Sequence, residues 1–296
     1  MLVCGDVIND VLVKPRDGVA MGSDTRSDIA ALPGGSAANQ AAWMAYLGAD
    51  VMFAARVGAR DADYHRDELA RAGVRPYLAA DAEAGTGTIV IMVSPDGERT
   101  MFTDRGANLR LGRSDIPAAA LDQAAVLHLT GYTFCEPPLL EVALWLLGQA
   151  RSRGLAVTVD PGSASFLARM APDAFLGWTH GAALCFPNRE EAAVLTGLPA
   201  DGDPALMAAR LTRHYQAVVI TLGAGGCVLA VPGEAPLLIP ARPAAASDTT
   251  GAGDAFCGAF MSRWLAGGAT PDLAGAAVYA AEVAAGVVTR FGGRPL

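Results

Sequence analysis

Hydrophobic and polar positions along this chain alternate between two rhythms. Short apolar runs such as LAVTV (155–159) and VVITL (218–222) have the length and β-branched content of buried strands, and polar or glycine residues follow each. Between them, NREEAAVLTG (188–197) carries a helix start and a glycine stop, and PALMAARLTRHY (204–215) repeats its apolar residues at helical spacing. Such alternation predicts βαβ units, hence an α/β fold whose mostly parallel central sheet is covered by helices. Ligands of these sheets collect at the carboxyl ends of strands, which makes the polar residues just after each strand the candidates for function.

Two segments break the alternation. Residues 11–32 and 86–108 read as hairpin material, the second running IVIMV, a PDG turn, then RTMFTD. Together they predict a small β-sheet lid over the edge of the main sheet. No linker, low-complexity tract or repeat intervenes, so one domain over 1–296 is expected, with the lid formed by about 11–32 and 86–108. The apolar stretch AAVYAAEVAAGVV (276–288) contains Glu282 and many small residues, which predicts a buried helix rather than a membrane span.

Composition narrows the classes. The 296 residues are 52% hydrophobic and 18% charged, enough for a large globular core. A net charge of −8 argues against nucleic acid or an anionic membrane as partner and leaves a small molecule as the expected ligand. Cys4, Cys135, Cys185, Cys227 and Cys257 show no CxxC spacing and are odd in number, so core thiols in a reducing cytoplasm are expected. The opening MLVCGDV is too short an apolar stretch for a signal peptide. His65, His128, His180 and His214 are scattered, with no HExxH and no Cys/His cluster to suggest zinc. Lys14, followed by Pro15, is the only lysine. That removes the Walker A motif, the strand lysine of protein kinases and a pyridoxal-phosphate lysine. A phosphate site here would have to use backbone N–H groups, arginine and metal.

Five islands lie where strand ends are expected: GDVIND (5–10), PGGSAAN (33–39), NREE (188–191), TLGAGG (221–226) and DTTGAGDAF (248–256). Most have a plain structural reading beside a functional one. Asn188 and Glu191 have capping-box spacing, and the same cap would set Glu191 near a magnesium-bound water and Asn188 near phosphate oxygens. TLGAGG lacks the third glycine of a dinucleotide fingerprint; it reads either as a tight hairpin into CVLAV or as amides and Thr221 facing a nucleotide phosphate. Asp10 can be a turn residue, the Gly34–Gly35 pair a site of close packing, and Asn39 a polar position in the first turns of a helix. DTTGAGDAF asks for more. Glycines 251 and 253 leave the N–H groups of residues 251–253 open to an anion at a helix mouth, with Asp254 beside them. A capping role explains the aspartate but not both glycines.

PGGSAANQAAWMAYLG and DTTGAGDAFCGAF, in that order and about the right distance apart, resemble the two signatures of the ribokinase-like sugar kinases, the PfkB family, and the resemblance runs over essentially the whole chain. It implies a three-layer α/β/α fold with a small β-lid. It implies an ATP-dependent phosphotransferase acting on a primary hydroxyl of a small sugar or sugar-like substrate, with magnesium as cofactor. In that scheme Asp254 is the base, and the amides of Gly251, Ala252 and Gly253 form the anion hole. Asp10, Gly34, Gly35, Asn39 and Asn108 belong to the substrate site beneath the lid. Asn188 and Glu191 serve phosphate and magnesium, the latter through water, while Thr221, Gly223 and Gly226 line the ATP site. Asp248 and Thr250, with the loop around Gly292, match a potassium site that some members possess. The free face of the lid, with its apolar IVIMV strand, is the expected homodimer surface. Phosphoryl transfer needs mostly positioning and charge stabilisation, which a helix N-terminus and magnesium supply without lysine.

Three stretches depart from the family pattern. ARDADYHRD follows RVG (56–58) where a short acidic-glycine stretch is usual. DPGSASF (160–166) lacks the asparagine and arginine of the DPNxR type found in ketodeoxygluconate kinases, and LHLTGYTF (127–134) lacks the acidic residue that ribokinase uses there. A nucleoside kinase of adenosine or pseudouridine type is the alternative, and it would need an apolar slot near Asn39 and the lid. A non-catalytic sensor would be free to lose Asp254, which this chain keeps. A nicotinamide-dependent oxidoreductase would need a complete GxGxxG after a strand.

Overall fold

A computed structural model describes residues 1–94, 99–245, 249–289 and 292–295. Among the described residues the strands are β1 (Leu2–Cys4), β2 (Ile8–Pro15), β3 (Ser27–Gly34), β4 (Met52–Gly58), β5 (Arg75–Asp81), β6 (Thr86–Val93), β7 (Arg99–Gly106), β8 (Val126–Thr130), β9 (Ala156–Asp160), β10 (Leu184–Cys185), β11 (Ala217–Thr221), β12 (Cys227–Ala230) and β13 (Leu237–Ile239). The α-helices are α1 (Ser36–Tyr46), α2 (Ala62–Arg71), α3 (Ala118–Gln123), α4 (Pro137–Arg153), α5 (Ala164–Met170), α6 (Pro172–Trp178), α7 (Arg189–Thr196), α8 (Pro204–Leu211), α9 (Ala252–Ala266) and α10 (Leu273–Val287).

Nine strands form the main sheet in the order β13-β12-β11-β10-β9-β8-β1-β4-β5. Every pairing from β11 to β5 is parallel, and only β11–β12 and β12–β13 are antiparallel. Successive residues of a strand point to opposite faces, so each central strand feeds two cores. Leu2 and Cys4 of β1, with Met52 and Ala54 of β4, join one apolar cluster that α3 to α8 cover. Val3, Phe53 and Ala55 join the other, under α1, α2, α9 and α10. The expected three layers follow from that alternation.

The segments read as a lid build a separate four-stranded sheet, β3-β2-β6-β7. Its two hairpins meet through a parallel β2–β6 pairing in which Asp10 lies opposite Ile89. The PDG turn of the second hairpin lies outside the described residues. Ile29, Met101 and Phe102 stand more than half exposed on this sheet. At its root, Asp61 accepts hydrogen bonds from Asn9 Nδ2 (2.7 Å) and Thr86 Oγ1 (2.5 Å), one residue from each of β2 and β6. The ARDAD stretch that departs from the family pattern thus supplies the clamp joining the small sheet to the main body.

Several sequence readings need adjusting. The helix of 204–215 ends at Leu211, and Arg213, His214 and Tyr215 leave it through turn hydrogen bonds. TLGAGG does form a tight hairpin: Thr221 pairs with Cys227, and a Cβ on Gly226 (φ 90°) would lie 2.0 Å from the Ile239 carbonyl oxygen. Residues 276–288 lie almost wholly in α10, buried on one face through Ala276, Ala277, Ala280 and Ala281, with Val278 outward. No helix among the described residues is long and apolar enough to cross a membrane, and all five cysteines are free thiols.

Candidate active site

The site is built where α1 and α9 cross. Both helices are rich in small residues and buried over most of their surface. Gly258 makes the approach possible, since a Cβ there would lie 2.4 Å from Trp43 Cβ. Ala37, Ala38, Ala259 and Phe260 fill the surrounding core. The crossing brings residues 36–40 against residue 254 across more than two hundred residues of chain. Ser36 Oγ donates to Asp254 Oδ1 (2.8 Å), Asn39 Nδ2 donates to Oδ2 (3.0 Å), and Gln40 Nε2 donates to Oδ1 (3.1 Å).

Asp254 sits inside the first turn of α9, which begins at Ala252, three residues before the Ala255 that opens the apolar pattern. Its carboxylate makes no capping hydrogen bond, because α1 holds it instead. The capping explanation for this aspartate fails on geometry. The glycines need a revised explanation as well. Gly251, the N-cap, has φ 74°, and a Cβ on it would lie 2.3 Å from Gly293 Cα, so backbone packing alone demands glycine there. Gly253 is different: a Cβ would meet nothing within 4 Å. Only Gly253 leaves open space at the helix mouth.

That space belongs to a cleft of about 1020 Å³. Ala252 and Gly253 line it on one side, with Asn188, Thr221, Gly223 and Gly226 opposite. Asn188 and Thr221 meet through a parallel bridge, which sets α7 beside the β11–β12 turn. Asn188 caps α7: its Oδ1 accepts from Glu191 N (2.9 Å), while Glu191 Oε2 accepts from Asn188 N (2.9 Å). The capping box is fully formed, and it buries Glu191. Ala281, Ala284 and Val288 of the α10 segment supply an apolar wall to the same cleft.

On the other side of Asp254 lie the remaining candidates. A Cβ on Gly34 would fall 2.1 Å from Asp10 Oδ2, and Gly35 (φ 93°) lies against the Asp6 carbonyl. The glycine pair therefore lets two aspartate segments close on the start of α1. Asn39 faces this region with Oδ1, which accepts from Arg294 Nε at 3.2 Å, and Arg294 Nη2 also donates to the Gly34 carbonyl at 2.9 Å. Asn108 belongs elsewhere. Its amide exchanges hydrogen bonds with Val7 N and O and donates to the Arg105 carbonyl, at 4% exposure. It ties backbone segments together, so it leaves the substrate set. Thr250 immediately precedes the Gly251 N-cap and Gly292 immediately precedes the Gly293 that packs on it, whereas Asp248 lies outside the described residues.

Burial shapes the electrostatics. It pushes Asp254 up to about 7, with the Asp160 charge adding to the rise and the bonds from Asn39, Ser36 and Gln40 opposing it. Burial and Asp6 push Asp10 up to about 6 against Arg294. Asp160 and Glu191 are both raised, burial first, and the Asp160 charge adds to the rise in Glu191. The Asp160 charge raises both Asp254 and Glu191, and a dication beside them would relieve that repulsion, which fits magnesium. Among the described residues no three Asp, Glu, His or Cys side chains cluster as a metal cage. The donor set therefore suits magnesium held through water and a ligand's phosphates. Sequence reasoning passed over Ser36, Gln40, His128, Asp160 and Arg294. Each is an ordinary residue in its own stretch, and only the helix crossing and the returning C-terminal segment give it a partner.

A model of the pfkB family carbohydrate kinases matches residues 1–295. A ribokinase from Mus musculus is 35% identical over 234 residues, 76% of this chain and 69% of its own length. A fructokinase from Klebsiella pneumoniae is 31% identical over 281 residues, 92% of this chain and 86% of its own. The adenosine kinase from Sinorhizobium meliloti shares the fold at TM-score 0.87 and 24% identity, over 100% of this chain and 95% of that one. Arabidopsis thaliana ribokinase, solved with ribose and ATP, aligns at TM-score 0.79 and 25% identity over 98% and 93%. With both signatures folded onto one helix crossing at the sheet's carboxyl edge, the chain belongs to the pfkB family of carbohydrate kinases.

Proposed function

We propose that this enzyme transfers the γ-phosphoryl group of ATP to a primary hydroxyl of a small sugar, with Asp254 as the base. The observation that carries this reading is the position of Asp254. Three side chains of α1 hold it, and it stands between the cleft at Gly253 and the carboxylate-rich region at Asp10. The acceptor hydroxyl gives its proton to the Asp254 carboxylate as its oxygen bonds to the γ-phosphorus, and the bond to the ADP oxygen breaks. A carboxyl poised near neutrality suits that task, because it is ionised often enough to accept a proton and basic enough to want one.

The amides of Gly251, Ala252 and Gly253 open α9, where helix-start N–H groups and the helix dipole would stabilise the charge on the transferring group. The Ala252 amide, which here donates to the Thr249 carbonyl at 3.3 Å, would have to exchange that bond for the phosphoryl oxygen. Asn188, Thr221, Gly223 and Gly226 hold the nucleotide along the cleft, with the α10 wall against its base. Asp10, Gly34, Gly35 and Asn39 orient the acceptor hydroxyls, and the four-stranded sheet shields them from water. Magnesium, held through water beside Glu191, would neutralise phosphate charge. The exposed Ile29, Met101 and Phe102 on the small sheet support pairing of two copies through that face.

The test is ADP release across a panel of sugars and nucleosides, with magnesium, with and without potassium. Asp254→Asn is assayed in parallel. Turnover with a sugar, lowered at least a thousandfold in Asp254→Asn, is the expected result. Turnover that survives the substitution would sink the assignment of the base.

A further inference from the structure

Gln40 is fully buried, and nothing in its own stretch of sequence explains a polar side chain there. Its Nε2 donates to Asp254 Oδ1 (3.1 Å) and to Asp160 Oδ2 (2.7 Å), and it lies 3.1 Å from Ser36 Oγ. At the other end its Oε1 lies 2.6 Å from His128 Nε2, while His128 Nδ1 lies 2.8 Å from Thr158 Oγ1. The chemistry of these partners settles every proton. An amide turned the other way would aim its oxygen at two carboxylates, so the nitrogen faces them and Oε1 must accept. His128 therefore donates from Nε2, and its Nδ1 accepts from the Thr158 hydroxyl. Burial holds this histidine down at about 3, so the ring stays neutral and keeps that tautomer. Asp160 is pinned from behind as well, since Gly162 N donates to its Oδ1 (2.9 Å).

We propose that Gln40 is the positioning residue of the base: its single amide nitrogen joins the Asp254 and Asp160 carboxylates, and the His128–Thr158 pair behind it stops that amide from turning. The proposal rests on the reading of Asp254 as base. Two carboxylates this close repel in a dry site, and a donor shared between them lets both stay ionised at a fixed geometry. Asp160 then acts on the base through charge, while Gln40 acts through a hydrogen bond, so the two influences have opposite sign. The other groups facing Asp254 are Ser36 and Asn39 from α1, Arg294 from the C-terminal segment, Tyr132 from the loop after β8, and Cys257 from its own helix. None of these changes in the test below.

The test compares wild type, Gln40→Leu and Asp160→Asn in two ways: the pH profile of kcat/KM, and a carbon-13 titration of the Asp254 carboxyl, assigned by its loss in Asp254→Asn. Removing the donor in Gln40→Leu destabilises the carboxylate, so the Asp254 titration and the acidic limb both move to higher pH. Removing the charge in Asp160→Asn moves both to lower pH. Each displacement should reach about half a pH unit, read as about a threefold rate change at a fixed pH on the limb. The KM for ATP should not change in either variant. Both variants moving the carbon-13 titration the same way, or neither moving it, overturns the proposal. Should Gln40→Leu fail to fold, Asp160→Asn decides alone, and an Asp254 titration that stays in place or rises overturns it. A carbon-13 titration that moves as expected while the kinetic limb stays put leaves the clamp standing and removes Asp254 as base.

Discussion

The two sides of Asp254 are made of different material. Toward the 1020 Å³ cleft the site is mostly backbone and small residues: Ala252, Gly253, Gly223 and Gly226, with Asn188 and Thr221 as the polar side chains. Toward the small sheet it is dense with charge, where Asp10 lies against Gly34 and Arg294 reaches Asn39 and the Gly34 carbonyl. Backbone amides recognise phosphate whatever else the ligand carries, and they come from local turns and helix starts. Side chains of opposite charge recognise the hydroxyl pattern of one acceptor, and they must be gathered from distant segments. In the proposed function one side would therefore serve a common nucleotide, and the other would hold the specificity for the acceptor.

That division can be broken most directly at Asp10. In Asp10→Asn the acceptor KM should rise about ten- to a hundredfold, the range for a charge-assisted hydrogen bond, while the KM for ATP stays constant. Equal increases in both would show that the two sides are one unit. The pH profile comes next in size. With Asp254 as the proposed base only its carboxylate form is active, and burial pushes its titration up to about 7, so kcat/KM should fall about tenfold per pH unit below that point and level off above it. A limb near 4 would mean that the base is solvated like an ordinary aspartate.

Gly253→Ala sharpens the nucleotide side. The protein itself offers no obstacle to the added methyl, and alanine in a first helical turn stabilises by up to about 1 kcal/mol, so the Tm should hold or rise. The KM for ATP should nevertheless rise about tenfold, because the methyl stands in the space reserved for the ligand. A fall in Tm with unchanged KM would make Gly253 a structural glycine like Gly251. The smallest catalytic effect is expected at the rim of the small sheet: Phe102→Asp should convert a dimer to a monomer in light scattering with kcat little altered. A wild-type monomer at high concentration would remove the dimer surface.

Much of the nucleotide side was legible in the chain because its signals are local. A strand end, a glycine turn and a capping box each announce themselves within ten residues, and Asn188, Glu191, Thr221, Gly223, Gly226 and Gly253 stand where such signals put them. The acceptor side was legible only in part. Asp10 and Asn39 stood out, yet Arg294 carried no local mark, and Asn108 looked like a ligand until its amide proved to be tied to Val7 and Arg105. Gly251 carries a second demand that no local signal announced: beside the anion site, contact with Gly293 independently requires glycine there.

By itself the sequence determined the alternation of strands and helices, the two hairpins of the small sheet and the glycine-framed mouth of α9, since these depend on periodicity and turn chemistry over short stretches. The tertiary structure alone decided that Gln40 meets Asp254 and Asp160, that His128 stands neutral behind it, and that Arg294 returns to Asn39. Those contacts span tens to hundreds of residues. They arise because Gly258 lets two small-residue helices cross closely enough for one amide to reach two carboxylates.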